Sequence, residues 1–223
     1  MKRLSLDPSV EKSVLAGVAW FSGVNAASDN PHWNEMDELE ATLRAAYAGR
    51  KPSEIPGLEP ARILYRRFGV DPTRTRPSSE ALLRRVLRDR SLYRINRLVD
   101  AINWASLALL LPIGLYDLDA TEGDLTIRVG GPGESYEGIR RGEINLEGRL
   151  VIADERGACG SPTADSLRTC VTETTTRAVA VILAPAGLPR LQMEEGLQRL
   201  SDRVTSWCGG TADGAFVLAG DAS

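Results

Sequence analysis

The sequence predicts an α+β fold. Apolar residues recur at helical spacing through much of the first half of the chain. After Gly123 the pattern changes to alternating or continuous apolar runs bounded by turn residues, the mark of strands. Helices therefore come early and strands late, and no regular strand–helix–strand series is expected. With 223 residues, 43% of them apolar, the chain (1–223) is expected to form a single domain.

Val14 to Val24 (VLAGVAWFSGV) is a short apolar run. Asp7, Glu11 and Lys12 lie just ahead of it, an acidic approach that does not suit an export signal, so a buried first strand is expected. No apolar run approaches the roughly 20 residues needed to span a bilayer. HWNEMDELEATLRAAYAGRKP reads as a helix carrying Met36, Leu39, Leu43 and Tyr47 on one side, ended by Gly49 and Pro52. SEIPGLEP is a connecting loop, and ARILYRRFGVDP a short helix stopped by Gly69 and Pro72. In TRTRPSSEALLRR (73–85), Pro77 sets the entry and Ser78 is the expected N-cap. Glu80 complements the dipole there, and Leu82, Leu83, Val86 and Leu87 form the buried side. Residues 95–119 read as a mostly buried helix to about Leu110, followed by Pro112 and Gly114. DLTIRV, GRLVIADERG, RAVAVILAP and GAFVLAG are strands. Leu191, Leu197, Leu200, Val204 and Trp207 mark a late amphipathic helix before the last of them.

Charge is unevenly distributed. Eleven arginines lie between Arg62 and Arg97, opposed only by Asp71, Glu80 and Asp89, a net of +8 within a chain of net -3. That asymmetry fits either a polyanionic partner or a solvated arginine-rich surface in a chain with only three lysines. Cys159, Cys170 and Cys208 form no CxxC spacing, and His32 is the single histidine. Neither a disulfide framework nor a zinc site is expected, and the thiols fit a reducing cytoplasm.

Several chemistries are excluded by motif. There is no P-loop, no GxGxxG after a strand, no HExxH and no GxSxG. GGPGE (130–134) lies between strands and reads as a turn. No cofactor and no metal is expected. The informative polar groups are Asn96, Asp100 and Asn103, which fall within about 60° of one another on an apolar helix, with Ser106 beside them. They either line a pocket or satisfy loops and backbone. TADSLRTCVTETTT (163–176) carries Asp165, Arg168 and Glu173 among many hydroxyls, and is either a site loop or a set of local Ser/Thr and Asx turns.

PSSEALLRR (77–85), INRLVDAINWASL (95–107), LPIGLYDLD (111–119), IRVGGPGE (127–134), LVIADERG (150–157) and VTETTTRAVAVI (171–182) together resemble the B3/B4 editing domain of the bacterial phenylalanyl-tRNA synthetase beta chain, in a free-standing form. The resemblance covers a core at about 62–185, with an N-terminal strand and helix in 1–61 and a C-terminal helix and strand in 186–223. It implies a three-layer arrangement in which a β-sandwich of unusual topology is flanked by helices. It also implies an enzyme acting on the aminoacylated end of tRNA: a trans-editing deacylase, with canavanine on arginine tRNA as one substrate class. Two positions depart from the synthetase pattern. Gly114 stands where that pattern has a histidine, and Val181 where it has a glutamate, so tyrosine editing is not inherited.

On this reading the ester needs an aligned water, an oxyanion donor and a held carbonyl. Asn103, Ser106 and Thr169 are the expected donors, and Asp165 or Asp100 would orient the water or bind a cationic side chain. Ser78, Ser166 and Thr172 join Asp100 as expected substrate contacts. Arg66, Arg67, Arg74, Arg76, Arg84 and Arg85 are the expected phosphate contacts. The rival readings are a non-catalytic tRNA-binding module and a binder of free amino acids.

Overall fold

The computed structural model describes residues 2–220. Its strands are β1 (Leu4–Leu6), β2 (Val14–Ser22), β3 (Ile113–Asp117), β4 (Leu125–Val129), β5 (Ser135–Gly138), β6 (Gly142–Asn145), β7 (Leu150–Asp154), β8 (Gly157–Gly160), β9 (Arg177–Pro185) and β10 (Thr211–Ala219). Its helices are α1 (Trp33–Tyr47), α2 (Glu59–Arg67), α3 (Ser78–Val86), α4 (Arg97–Leu109) and α5 (Arg190–Cys208). The fold is α+β, as expected.

Two four-stranded sheets form the centre. One has the order β10-β2-β9-β3 and is antiparallel throughout; the other has the order β1-β4-β7-β8, with β1 parallel to β4. Side chains alternate across β2. Leu15, Ala19 and Phe21 join the core shared with the helices, while Ala16, Val18 and Trp20 join the core between the sheets. β9 divides the same way: Ala180 and Ile182 face the helices, and Val179, Val181 and Leu183 face the second sheet. Burial on both faces explains why these two strands read as continuous apolar runs rather than alternating ones. A methyl group at Gly17 would fall 2.7 Å from Met193 Sδ and 2.9 Å from Leu197 Cγ, so the glycine is what lets α5 settle against β2.

Several local expectations are corrected. The run at Val14 forms the second strand, because Leu4–Leu6 pairs in parallel with β4 ahead of it. The hairpin β5–β6 has no apolar run of its own, and its Tyr136 packs into a small separate core with Leu146, Val151 and Ala158. Ser78 is not a cap: Pro77 occupies that position with extended φ and ψ, and Ser78 is already helical with no capping hydrogen bond. Glu80 does lie in the first turn of α3, but it is buried there and takes a two-pronged bond from Arg62 at 2.8 and 3.0 Å. Arg62 is thereby removed from the free positive charge of the segment. Leu191 is 66% exposed, and Met193 takes the core position at the start of α5.

Candidate active-site cleft

The α4 helix begins where Asn96 accepts a hydrogen bond from Val99 N at 2.8 Å, the cap geometry expected of asparagine there. It ends at Leu110, whose φ of 55° is left-handed. One side of α4 and the open edge of β3 form the walls of a cleft of about 520 Å³, a volume suited to a small ligand. Val99, Ile102, Ile113, Leu115 and Val171 make the walls apolar. Asn103 and Asp165 are among its polar lining residues, and Arg140 and Arg141 join them from the hairpin tip between β5 and β6.

Asp165 is the chemically distinctive residue. Its backbone bridges to Gly160 at the end of β8, and its carbonyl accepts from Ile139 N, so two elements hold it. The bidentate pair of Arg168 with Asp154, both bonds 2.8 Å, ties the same loop to β7. Leu183 N donates to Pro112 O, which fixes the even-numbered residues of β3 as the hydrogen-bonded ones and turns the Leu115 N–H to the open edge. The residue as a whole is partly exposed in the cleft, but its Oδ1 is shut off from solvent with no hydrogen-bond partner. Burial raises the carboxyl to about 7, a rise limited by the nearby Tyr116 hydroxyl and Leu115 N–H. The Tyr116 hydroxyl is itself buried without a partner. A carboxyl poised near neutrality in an apolar cleft is the arrangement that general acid–base chemistry uses. Cys170 also lines the cleft, but burial raises its thiol pKa and makes it a poor nucleophile.

The hairpin that carries Arg140 and Arg141 is anchored at its base. Glu134, in the expected GGPGE turn, accepts two 2.7 Å bonds from Arg128 and further bonds from Gly131 N and Ala158 N. The Arg128 bonds, helped by the two amides, pull its carboxyl down to about 2. The sequence signal for the tip was the arginine pair set between Gly138 and Gly142, which sequence reasoning passed over.

The other expected site residues divide. Ser106 donates to Leu111 O at 2.8 Å and closes the end of α4; Thr169 donates to Cys159 O at 3.0 Å; both are buried away from the cleft. Asp100 accepts from Asn30 Nδ2 and Ile95 N and pins the chain ahead of α4, so it does not face the cleft with Asn103. Ser166 accepts from Arg168 N, and the Thr172 hydroxyl pairs with that of Thr174 in an exposed turn. Three polar residues on one helical face thus serve a cap, a loop and the cleft in turn. His32 stacks on Trp207 at 5.6 Å and meets Glu35 at 3.2 Å, away from this site.

The arginines divide as well. Arg76, Arg84 and Arg85 gather with Arg88 and Arg90 around a concavity of about 200 Å³. Burial, with Arg76 and Arg88 close by, lowers the pKa of Arg84, a crowding that an anion would relieve. Arg66 instead pairs with Glu59 at 2.8 Å, Arg67 donates to Ser13 O, and Arg74 stands exposed near Asp71. The concavity adjoins the cleft: the Arg85 guanidinium lies 3.8 Å over the ring of Tyr93, and Tyr93 forms part of the cleft lining. Among the described residues, no three His, Cys, Asp or Glu side chains gather as a metal site requires, and no helix is long and apolar enough to cross a membrane.

Comparison with known proteins agrees with this architecture. The chain is 35% identical over 86 residues to the phenylalanine–tRNA ligase beta subunit of Psychrobacter arcticus, a match covering 38% of this chain and 11% of that protein. The N-terminal fragment of the phenylalanyl-tRNA synthetase beta subunit from Pyrococcus horikoshii has a similar fold, with a TM-score of 0.50 at 12% identity, over 96% of this chain and 53% of that fragment. The chain therefore spans about half of the archaeal fragment and about a tenth of the bacterial subunit. Residues 61–189, more than half of the sequence and including β3, α4 and the Asp165 loop, match the B3/4 domain, and the chain belongs to that family.

Proposed function

We propose that the protein is a deacylase that hydrolyses the ester of a mischarged tRNA. The observation that carries this reading is the Asp165 carboxyl, with its Oδ1 buried and without a partner, in a largely apolar cleft whose mouth adjoins a crowd of arginines. In its ionised form Asp165 holds a water and takes its proton as the water oxygen attacks the ester carbonyl carbon. The Asn103 amide and the Arg140 or Arg141 guanidinium donate to the oxyanion, help worth roughly 3–4 kcal/mol where aim is good. The carbon–oxygen bond to the ribose then breaks, and Asp165 returns the proton to the departing ribose oxygen. The products are a free amino acid and a tRNA with a free terminal hydroxyl.

The test is a panel of mischarged tRNAs, canavanine on arginine tRNA included, with wild-type protein, Asn103→Ala and Asp165→Asn. Loss of kcat on Asp165→Asn supports the water-holding role. A cationic side chain would instead pair with Asp165, and the same change would then raise KM. Ser106 and Thr169 are engaged with backbone carbonyls, which leaves fewer donors at the cleft than expected and favours the second reading, a non-catalytic tRNA-binding module. A wild-type protein that binds tRNA yet hydrolyses no member of the panel would establish that reading instead.

A further inference from the structure

We propose that Tyr93 is a stacking platform for an unpaired nucleobase at the 3′ end of the bound tRNA, an inference that rests on the tRNA reading above. Tyr93 is 66% exposed, unusual for a large aromatic side chain. One face of its ring is covered by the Arg85 guanidinium at 3.8 Å, and Arg85 is in turn held by its Nε bond to Ser91 O at 2.8 Å. With that much of the residue in solvent, the opposite ring face is open. The exposed side chains of Ile95 and Ile139, 49% and 41%, lie with Tyr93 along the same cleft. The cleft thus has an apolar lip, although its neighbourhood is strongly basic.

Position gives this lip its meaning. Arg85 belongs both to the arginine concavity and to the stack on Tyr93, and Tyr93 belongs to the cleft. Phosphates seated among Arg76, Arg84, Arg85, Arg88 and Arg90 would lead a strand to the ring, and the ring leads it to Asp165. An aminoacyl ester is carried on the terminal ribose, so a base within one or two nucleotides of that ester must lie beside the cleft when the ester is inside it. A base paired in a duplex has no free face to offer, whereas an unpaired one stacks on an aromatic ring with little regard for its identity. The backing guanidinium keeps the ring in place and adds positive charge next to the strand.

The experiment measures binding of uncharged tRNA, intact or trimmed of its unpaired 3′ nucleotides, to wild-type protein, Tyr93→Ala, Tyr93→Phe and Arg84→Gln at low salt. Tyr93→Ala is expected to weaken intact tRNA by roughly five- to hundredfold. Tyr93→Phe is expected to stay close to wild type, and trimmed tRNA to bind Tyr93→Ala and wild type alike. Arg84→Gln is expected to weaken both tRNAs by the same factor. Equal binding of intact tRNA by wild type and Tyr93→Ala overturns the platform, as does an equal loss for intact and trimmed tRNA. In either case binding by wild type that Arg84→Gln weakens leaves the tRNA reading standing. Absence of wild-type binding to both tRNAs overturns the two together.

Discussion

Gly114 lies directly opposite Val181 in the ladder between β3 and β9, and both turn toward the core between the sheets rather than toward the cleft. These are the two positions at which the sequence resemblance leads one to expect a departure from the synthetase pattern. The space over Gly114 is filled by the Tyr116 hydroxyl, which would overlap a methyl group placed at either Gly114 or Gly160. The absent histidine has therefore left no vacant room. Gly114→His is expected to destabilise the protein by about 1–3 kcal/mol or more, as overpacking does, rather than to restore an editing pocket. A urea unfolding series would read the loss. Gly114→Ala should cost less in a Tyr116→Ala background than alone; equal costs in the two backgrounds would mean that the hydroxyl is not what the side chain meets.

The raised carboxyl of Asp165 also makes stability depend on pH. Its ordinary value is near 3.8, and in the folded chain it is about 7. Between those values the folded protein keeps a proton that the unfolded chain has released, so rising pH favours unfolding across that window. Asp165→Asn has no such proton. The variant should gain stability relative to wild type as pH rises from about 4 to about 7, by on the order of a few kcal/mol, and the gap should be constant above that. Unfolding midpoints at three pH values check this, and parallel curves for the two proteins would contradict it.

The strands buried on both faces were legible because they are short apolar runs, rich in β-branched or aromatic residues and bounded by turn residues. RAVAVILAP forms β9 over its full length, Arg177–Pro185. The hairpin β5–β6 was not legible, because SYEG and GEIN bury little and are specified by pairing and by the Glu134 anchor. At the site, Asn103 and Asp165 were recognisable as polar residues in apolar or loop surroundings. Nothing in the local pattern separated them from Asp100, Ser106 and Thr169, whose partners lie elsewhere in the fold. Asp100 meets Asn30, 70 positions away, and Thr169 meets the Cys159 carbonyl. The arginines show the same limit. Their number was plain, while their division into paired and crowded groups depends on which carboxylates the fold brings near.

That division gives a prediction about salt. Each arginine that neutralises a phosphate adds roughly 0.7–0.9 to the slope of log affinity against log salt. Arg84→Gln and Arg88→Gln are expected to lower tRNA affinity and to reduce that slope by nearly one unit each. Arg66→Gln should leave the slope unchanged, since Arg66 is paired with Glu59. Filter-binding titrations across a range of salt concentrations separate the groups. Equal slopes for Arg66→Gln and Arg84→Gln would show that the concavity has no special part in binding.

The last prediction concerns rate. A base must be ionised to take a proton from water, so kcat/KM for deacylation should rise with pH and level off above about 7, the value to which burial pushes Asp165 in the free protein. Aminoacyl esters also hydrolyse unaided as hydroxide increases, so the uncatalysed rate must be subtracted at each pH. Asp165→Asn should lose about 10²–10⁴-fold and flatten the profile, because the amide can hold a water but cannot accept its proton. Asp165→Glu keeps a carboxyl but moves it about one methylene along the cleft, and should retain part of the rate with its own inflection. A wild-type profile that is flat between about pH 5 and pH 9 would remove Asp165 as the base, and the cleft would then act by positioning alone.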